Sequence, residues 1–356
     1  MEHPALTERT YLDHAATTPM IAAAREAMVR ALSDWANPSS PHAEGRAARA
    51  ALEDARGRIG QALGFYGAII FTSGASEAIA MGLGRARAGD RLISAVEHDA
   101  VRRAAPDATI LPVSANGLVD VAAIRGDRPL VAVQSVNNET GVIQDLAEVL
   151  AATRAADGLL LADCAQSAGK LALPEADFIS VSAHKFGGPP GIGALLVRDL
   201  ATLAPSGGQE QGYRGGTENV PAAMAFAAAL DAAEPWLDRA GAMRGRLDDI
   251  VRSAGGYIVA DAVDRLPTIA SYRMPGVAAT AQLIRFDMAG ISVSAGSACS
   301  SGSLKPSHVL AAMGWDEIAA REVIRVSFGP QTTADDVDRF ADLWRLIAEG
   351  ARVRAA

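Results

Sequence analysis

The stretch DGLLLADCAQSAGKLALPEADFISVSAHKFGGPPGIGALLV, residues 157–197, decides the fold. Three apolar runs of strand length, DGLLLADCA, ADFISVSA and GIGALLV, follow one another across small and polar turns. Their hydrophobicity is continuous rather than alternating, which predicts strands covered on both faces, as in a mainly parallel sheet flanked by helices. Working outward, GAIIFTSG at 67–74, DRLISAV at 90–96 and RPLVAVQSV at 128–136 repeat the pattern, with Ala-rich stretches of helical period such as 142–156 between them. The alternation reads as α/β.

Polar residues gather where these runs end: Ser73 to Glu77, Glu97 and His98, Asn137 to Glu139, Asp163 to Gln166, and Ser182 to Lys185. In open α/β sheets ligands bind outside the carboxyl ends of the strands, so these clusters are the candidate site. Beyond residue 220 the pattern changes to a long Ala-rich helical stretch over 221–240, then to shorter strands and a helix near 333–353. The boundary predicts a large domain over 14–250, and a small domain formed by 1–13 and 251–356.

The 356 residues are 49% hydrophobic and 21% charged, the composition of an ordinary globular protein with a sizeable core. A net charge of -8 argues against an electrostatic grip on nucleic acid or anionic lipid. The opening MEHPALTERTYLD lacks the basic start and apolar run of a signal peptide, and no apolar stretch has membrane-spanning length, so a cytoplasmic location is expected. Cys164 and Cys299 are the two cysteines, too few for a disulfide framework or a zinc cluster, and no metal site is expected. Of the 33 basic residues only Lys170, Lys185 and Lys305 are lysine. Arginine stays charged, whereas a lysine of lowered pKa can condense with a carbonyl, so a lysine at a chosen position carries more meaning here than usual.

Asp163 closes an apolar run, where an unpaired charge is costly and needs a cation. Two readings stand: an ion pair with one of the many arginines, or a partner for a protonated pyridine nitrogen that sustains an electron sink. Lys185, twenty-two residues on at the end of a neighbouring run, is alone an ordinary solvated strand end; together with Asp163 it matches a cofactor-binding lysine and its ring partner. FTSGASEA at 71–78 offers backbone amides at a helix start to a phosphate, though a capping box from Ser73 to Ser76 explains the same letters. His98 is either a core histidine or a stacking partner and proton carrier beside a flat ring. Cys164 in an apolar strand reads as a small buried hydrophobe, while Cys299 in SAGSACSSGS reads as a thiol on a flexible loop, the form of a nucleophile that travels.

With these residues in hand the chain resembles the cysteine desulfurases, fold-type I pyridoxal-phosphate enzymes of the class-V aminotransferase family, in the group with a long catalytic-cysteine loop. The resemblance runs from YLDHAATTP at 11–19 through NPSSPHAEGR, FTSGASE, VEH, SVNNETGVIQD, LADCAQSAGK, SAHKFGGPPGIG, GYRGGTEN and SAGSACSSGSLKPSHVL to IRVSFG at 324–329. It implies a mainly parallel seven-stranded sheet flanked by helices, with a smaller α+β domain carrying the cysteine loop. It implies pyridoxal 5'-phosphate bound covalently by Lys185, with Asp163 on the ring nitrogen, Gln166 on the ring hydroxyl and His98 stacked on the ring. Asn138 would lie beside cofactor and substrate. Ala75, Ser76, Ser182 and His184 would hold the phosphate, joined by Thr217 from the second subunit of a homodimer. Arg325, with Asn37, would grip the substrate carboxylate, a task suited to a planar guanidinium.

The implied reaction converts L-cysteine to L-alanine, leaving a persulfide on Cys299 for a sulfur-acceptor protein such as an iron-sulfur scaffold, with which Cys299 would share a cluster. Selenocysteine lyase or another pyridoxal-phosphate activity would use the same Lys185 and Asp163. The cysteine loop speaks against an aminotransferase, and the joint presence of Lys185, Asp163, His98, Cys299 and Arg325 speaks against a non-catalytic assembly scaffold. The chain departs from the family pattern at His14, where Asn is common, at Ser76, where Thr is common, and in ASEAIAMGL, which lacks the asparagines that often follow. It also ends soon after its last helix, without the longer tail that some relatives use to bind a scaffold.

Overall fold

A computed structural model describes residues 9–34, 36–298 and 304–355; Cys299 lies outside the described residues. Seven strands form the central sheet in the order Ala68–Thr72, Gly193–Val197, Phe178–Ser182, Leu159–Asp163, Leu130–Gln134, Arg91–Ser94 and Thr109–Leu111. All neighbours are parallel except that Gly193–Val197 runs antiparallel to the strands on both its sides.

Successive residues of a strand point to opposite faces, so a strand that reads as one apolar run serves two cores. Leu160 and Ala162 pack with Leu52, Ile59, Val149 and Phe226 on one face. Leu161 packs with Ile79, Leu83, Val101 and Phe178 on the other. Each fully buried Leu or Phe is stabilised by about 1.5–3 kcal/mol relative to exposure. The fit is close at helix Ala75–Arg85, where a Cβ on Gly82 would lie 2.4 Å from Leu161 Cδ1.

The predicted helical stretch over 221–240 is two helices, Val220–Asp231 and Leu237–Ser253. Pro235 between them cannot donate to a helical ladder and its ring excludes the preceding turn. The second helix joins another core. Its Ala240, Met243, Leu247 and Val251 pack with Leu12, Tyr272, Phe286, Ile324, Phe340 and Trp344. That core sits on an antiparallel sheet ordered Val323–Ser327, Ile269–Arg273, Tyr257–Ile258 and is closed by helix Ala334–Ala355. Phe340 stacks on Phe286 at 4.6 Å between ring centroids, and Tyr272 meets Trp344 edge-on at 5.9 Å. Among the described residues no helix is long and apolar enough to cross a membrane.

Candidate active site

The polar strand ends converge on one cavity of about 540 Å³. Parallel pairing of Leu130–Gln134, Leu159–Asp163 and Phe178–Ser182 places Asn138, Asp163, Gln166, Ser182, His184 and Lys185 along the same sheet edge. His98 follows Arg91–Ser94, Ala75 and Ser76 follow Ala68–Thr72, and Arg325 reaches in from the smaller sheet.

Lys185 lies in a single 3₁₀ turn, Ala183–Lys185, directly after its strand. Its Nζ donates to Ala15 O at 2.6 Å and Ala16 O at 2.9 Å. Burial, then the Arg325 charge, lowers its pKa from 10.5 to about 8, with Asp163 and Asp13 opposing. A tenth or so of such an amine is neutral at pH 7, against less than a thousandth of an ordinary lysine.

Asp163 is 6% exposed. Its Oδ1 accepts from Ala165 N at 3.0 Å and Ser180 Oγ at 2.8 Å, and among the described residues no ion pair reaches it, so the arginine reading of this carboxylate fails. Gln166 donates through Nε2 to Ala15 O at 2.9 Å, while its buried Oε1 has no partner among the described residues. His98 caps helix Asp99–Ala104, its Nδ1 accepting from Ala100 N at 3.2 Å. The neutral ring therefore carries its proton on Nε2. Desolvation in the cavity lowers its pKa, with Asp163 opposing.

Helix Ala75–Arg85 starts at Gly74, with φ 154° and ψ 178° and no side-chain cap, a backbone that only glycine adopts freely. The capping-box alternative for Ser73 and Ser76 is therefore not realised; Glu77 instead turns back to accept from Ser73 N at 2.5 Å and pairs with Arg214 at 2.8 Å. A Cβ on Gly193 would lie 2.7 Å from Gly74 Cα, so the helix start is pressed against the sheet and its first amides border the cavity beside Ser182 and His184.

Arg325 donates through Nη1 to Asn138 O at 2.9 Å and through Nη2 to Asp13 Oδ1 at 2.7 Å; its buried Nε has no partner among the described residues. Asn37 and Thr217 do not line this cavity, and both are exposed. The Asn37 side chain accepts from Ser39 N at 2.8 Å.

Glu97 and Glu139 belong to the strand-end clusters of the sequence but carried no individual role there; Glu139 lines the cavity, and Glu97 directly precedes the lining residue His98. Glu97 is fully buried and its pKa rises well above the usual carboxyl value, first by burial; its backbone O accepts from His308 Nε2 at 2.9 Å. Glu139 accepts from Ser307 Oγ at 2.5 Å. With the bridge between Ser294 and Arg325, these contacts tie both flanks of the Cys299 segment to the cavity wall. Cys164 is fully buried and burial pushes its thiol up to about 12.

These groups fit pyridoxal phosphate. An uncompensated buried carboxylate suits a protonated ring nitrogen, an unpartnered amide oxygen suits a ring hydroxyl, an amine near neutrality suits an aldehyde, and uncapped helix amides suit a phosphate. The architecture is that of a fold-type I pyridoxal-phosphate enzyme. The aminotransferase class-V family model matches residues 10–340, and the chain belongs to that family, which is pyridoxal-phosphate dependent. It is 36% identical to the cysteine desulfurase IscS 1 of Archaeoglobus fulgidus over 96% of this chain and 97% of the relative. The solved NifS-like protein from Rickettsia africae superposes with a TM-score of 0.88 at 31% identity, covering 96% of this chain and 100% of that one. A structure described as SspA in complex with cysteine superposes with a TM-score of 0.78 at 31% identity, covering 91% and 99%.

Proposed function

We propose that the chain is a pyridoxal-phosphate-dependent cysteine desulfurase that converts L-cysteine to L-alanine and takes the sulfur onto Cys299. One observation carries the reading: an amine, Lys185, and a buried carboxylate with no ion pair among the described residues, Asp163, face one cavity in a chain whose relatives are named cysteine desulfurases. When bound, pyridoxal phosphate supplies a carbonyl that links to amines and a ring that delocalises the electron pair released at a substrate Cα.

Lys185 Nζ would hold the cofactor and is the base that would take the Cα proton; the Ala15 and Ala16 carbonyls accept from that nitrogen and orient it. Asp163 would pair with the ring nitrogen, and Ser180 Oγ and Ala165 N hold its carboxylate in place. Gln166 would meet the ring hydroxyl, and the amides of Ala75 and Ser76, with Ser182 and His184, would hold the phosphate. Arg325 grips the substrate carboxylate beside Asn138. The Cys299 thiolate attacks the substrate sulfur, the Cβ–S bond breaks, and the new S–S bond leaves a persulfide on the enzyme. His98, whose neutral ring carries its proton on Nε2, returns a proton to the carbon fragment, which leaves as alanine. The persulfide passes to an acceptor protein of the iron-sulfur or thiolation type. The working unit is a cytoplasmic homodimer in which Thr217 completes the neighbour's phosphate site.

Incubation of the purified protein with L-cysteine, with and without a reductant, tests the reaction class. Alanine and sulfide appear in equal amounts when reductant is present; alanine without releasable sulfur overturns the reading.

A further inference from the structure

We propose that Asp13 is a positioning residue for the substrate carboxylate: by accepting from Arg325 Nη2 it fixes the guanidinium so that its remaining donors face the cavity. The inference rests on the proposed role of Arg325. A guanidinium carries five N–H donors in one plane, and a single hydrogen bond leaves it free to pivot. Arg325 is held at two nitrogens by acceptors from two distant segments, Asn138 O at 2.9 Å and Asp13 Oδ1 at 2.7 Å, which sets both its tilt and its rotation. Its buried Nε has no partner among the described residues, and both Asp13 and Arg325 line the cavity. An ion pair serving only to tie the chain together has no reason to leave a buried donor open beside a ligand cavity.

Asp13 is itself held. Its backbone bridges Ser327, two residues beyond Arg325, its carbonyl accepts from Tyr11 Oη at 3.1 Å, and Ala15 N donates to Ser327 Oγ at 2.9 Å. The same short segment supplies the Ala15 and Ala16 carbonyls that hold Lys185, so residues 13–16 brace the amine and the guanidinium together. Asp13 also opposes the lowering of the Lys185 pKa that burial and then Arg325 cause.

The test uses cofactor-loaded protein carrying Asp13→Ala, Asp13→Ser, Asp13→Asn or Arg325→Ala. The dissociation constant of L-alanine is measured by calorimetry, alongside kcat and KM for L-cysteine. Alanine and serine at position 13 cannot reach Nη2, so L-alanine binding weakens by about tenfold or more and KM rises more than kcat falls. Asparagine keeps an acceptor at the same reach, and binding stays within about threefold of wild type. Wild-type L-alanine affinity in Asp13→Ala or Asp13→Ser, or an Asp13→Asn variant as weak as Asp13→Ala, overturns the positioning role. Undiminished L-alanine binding by Arg325→Ala instead overturns the carboxylate assignment beneath it, so the two failures are distinguishable.

Discussion

Asp163 and Lys185 stand at the ends of two paired strands of one sheet, whereas Arg325 reaches the same cavity from a second sheet with its own core around Trp344. The first pair is set by strand register alone: once Ala162 pairs with Ile179, the carboxylate and the turn bearing the amine share an edge. Arg325 depends on contacts across the chain, with Asp13 312 positions away and Asn138 187 positions away. The chemistry is thus built on a rigid edge, and substrate recognition on a seam between two packed bodies, where small changes in packing are felt as changes in binding.

The harshest way to break the sheet-edge half is Lys185→Ala, which removes the near-visible absorption of the lysine-bound cofactor and lowers turnover by about three orders of magnitude or more. Alanine production from cysteine at the wild-type rate excludes Lys185 from its role. Next in size, Cys299→Ser stops persulfide formation while leaving the absorption spectrum and cysteine binding nearly intact. Mass spectrometry after cysteine treatment without reductant finds an added sulfur, about 32 Da, on the Cys299 peptide. Cys164→Ser keeps turnover, since a buried thiol pushed up to about 12 holds almost no thiolate near neutrality; sulfur found on Cys164 assigns the nucleophile wrongly.

A milder test uses pH. Burial and Arg325 disfavour the charged form of Lys185, so its amine becomes neutral as pH rises through about 8 rather than 10.5. The rate at which the cofactor-free protein takes up pyridoxal phosphate therefore rises about tenfold between pH 7 and pH 9 and then levels. A rate still climbing at pH 10 shows an unperturbed lysine. The smallest effect belongs to the seam: a Cβ on Gly329 would lie 2.0 Å from the buried His14 ring, so Gly329→Ala destabilises by about 1–3 kcal/mol in urea unfolding. The loss shrinks in a His14→Ala background if that contact is its cause; equal losses in both backgrounds place the strain elsewhere.

The sheet edge was legible because each of its site residues closes an apolar run, and run ends are visible in a linear sequence. Asp13 stood in plain view in YLDHAATTP without a role, since its partner is an arginine among thirty and nothing in spacing selects Arg325. Glu139 stood in a strand-end cluster and His308 in SAGSACSSGSLKPSHVL, but their individual roles were hidden for the same reason, their meaning lying in contacts with Ser307 and Glu97. The two helices in place of one long stretch were legible at Pro235, which the Ala-rich composition around it masked.

From sequence alone follow the α/β class, the singular position of Lys185 among three lysines, and its pairing with Asp163, because strand period, hydrophobic run length and residue chemistry are local properties. Only the tertiary structure decides that Asp163 has no arginine partner among the described residues, that the helix at Ala75 starts uncapped, and that Asp13 rather than another acid holds Arg325. Those outcomes depend on which side chains a packed core leaves within 3 Å of one another, and burial, which sets the cost of every unpaired charge, exists only after the chain has folded.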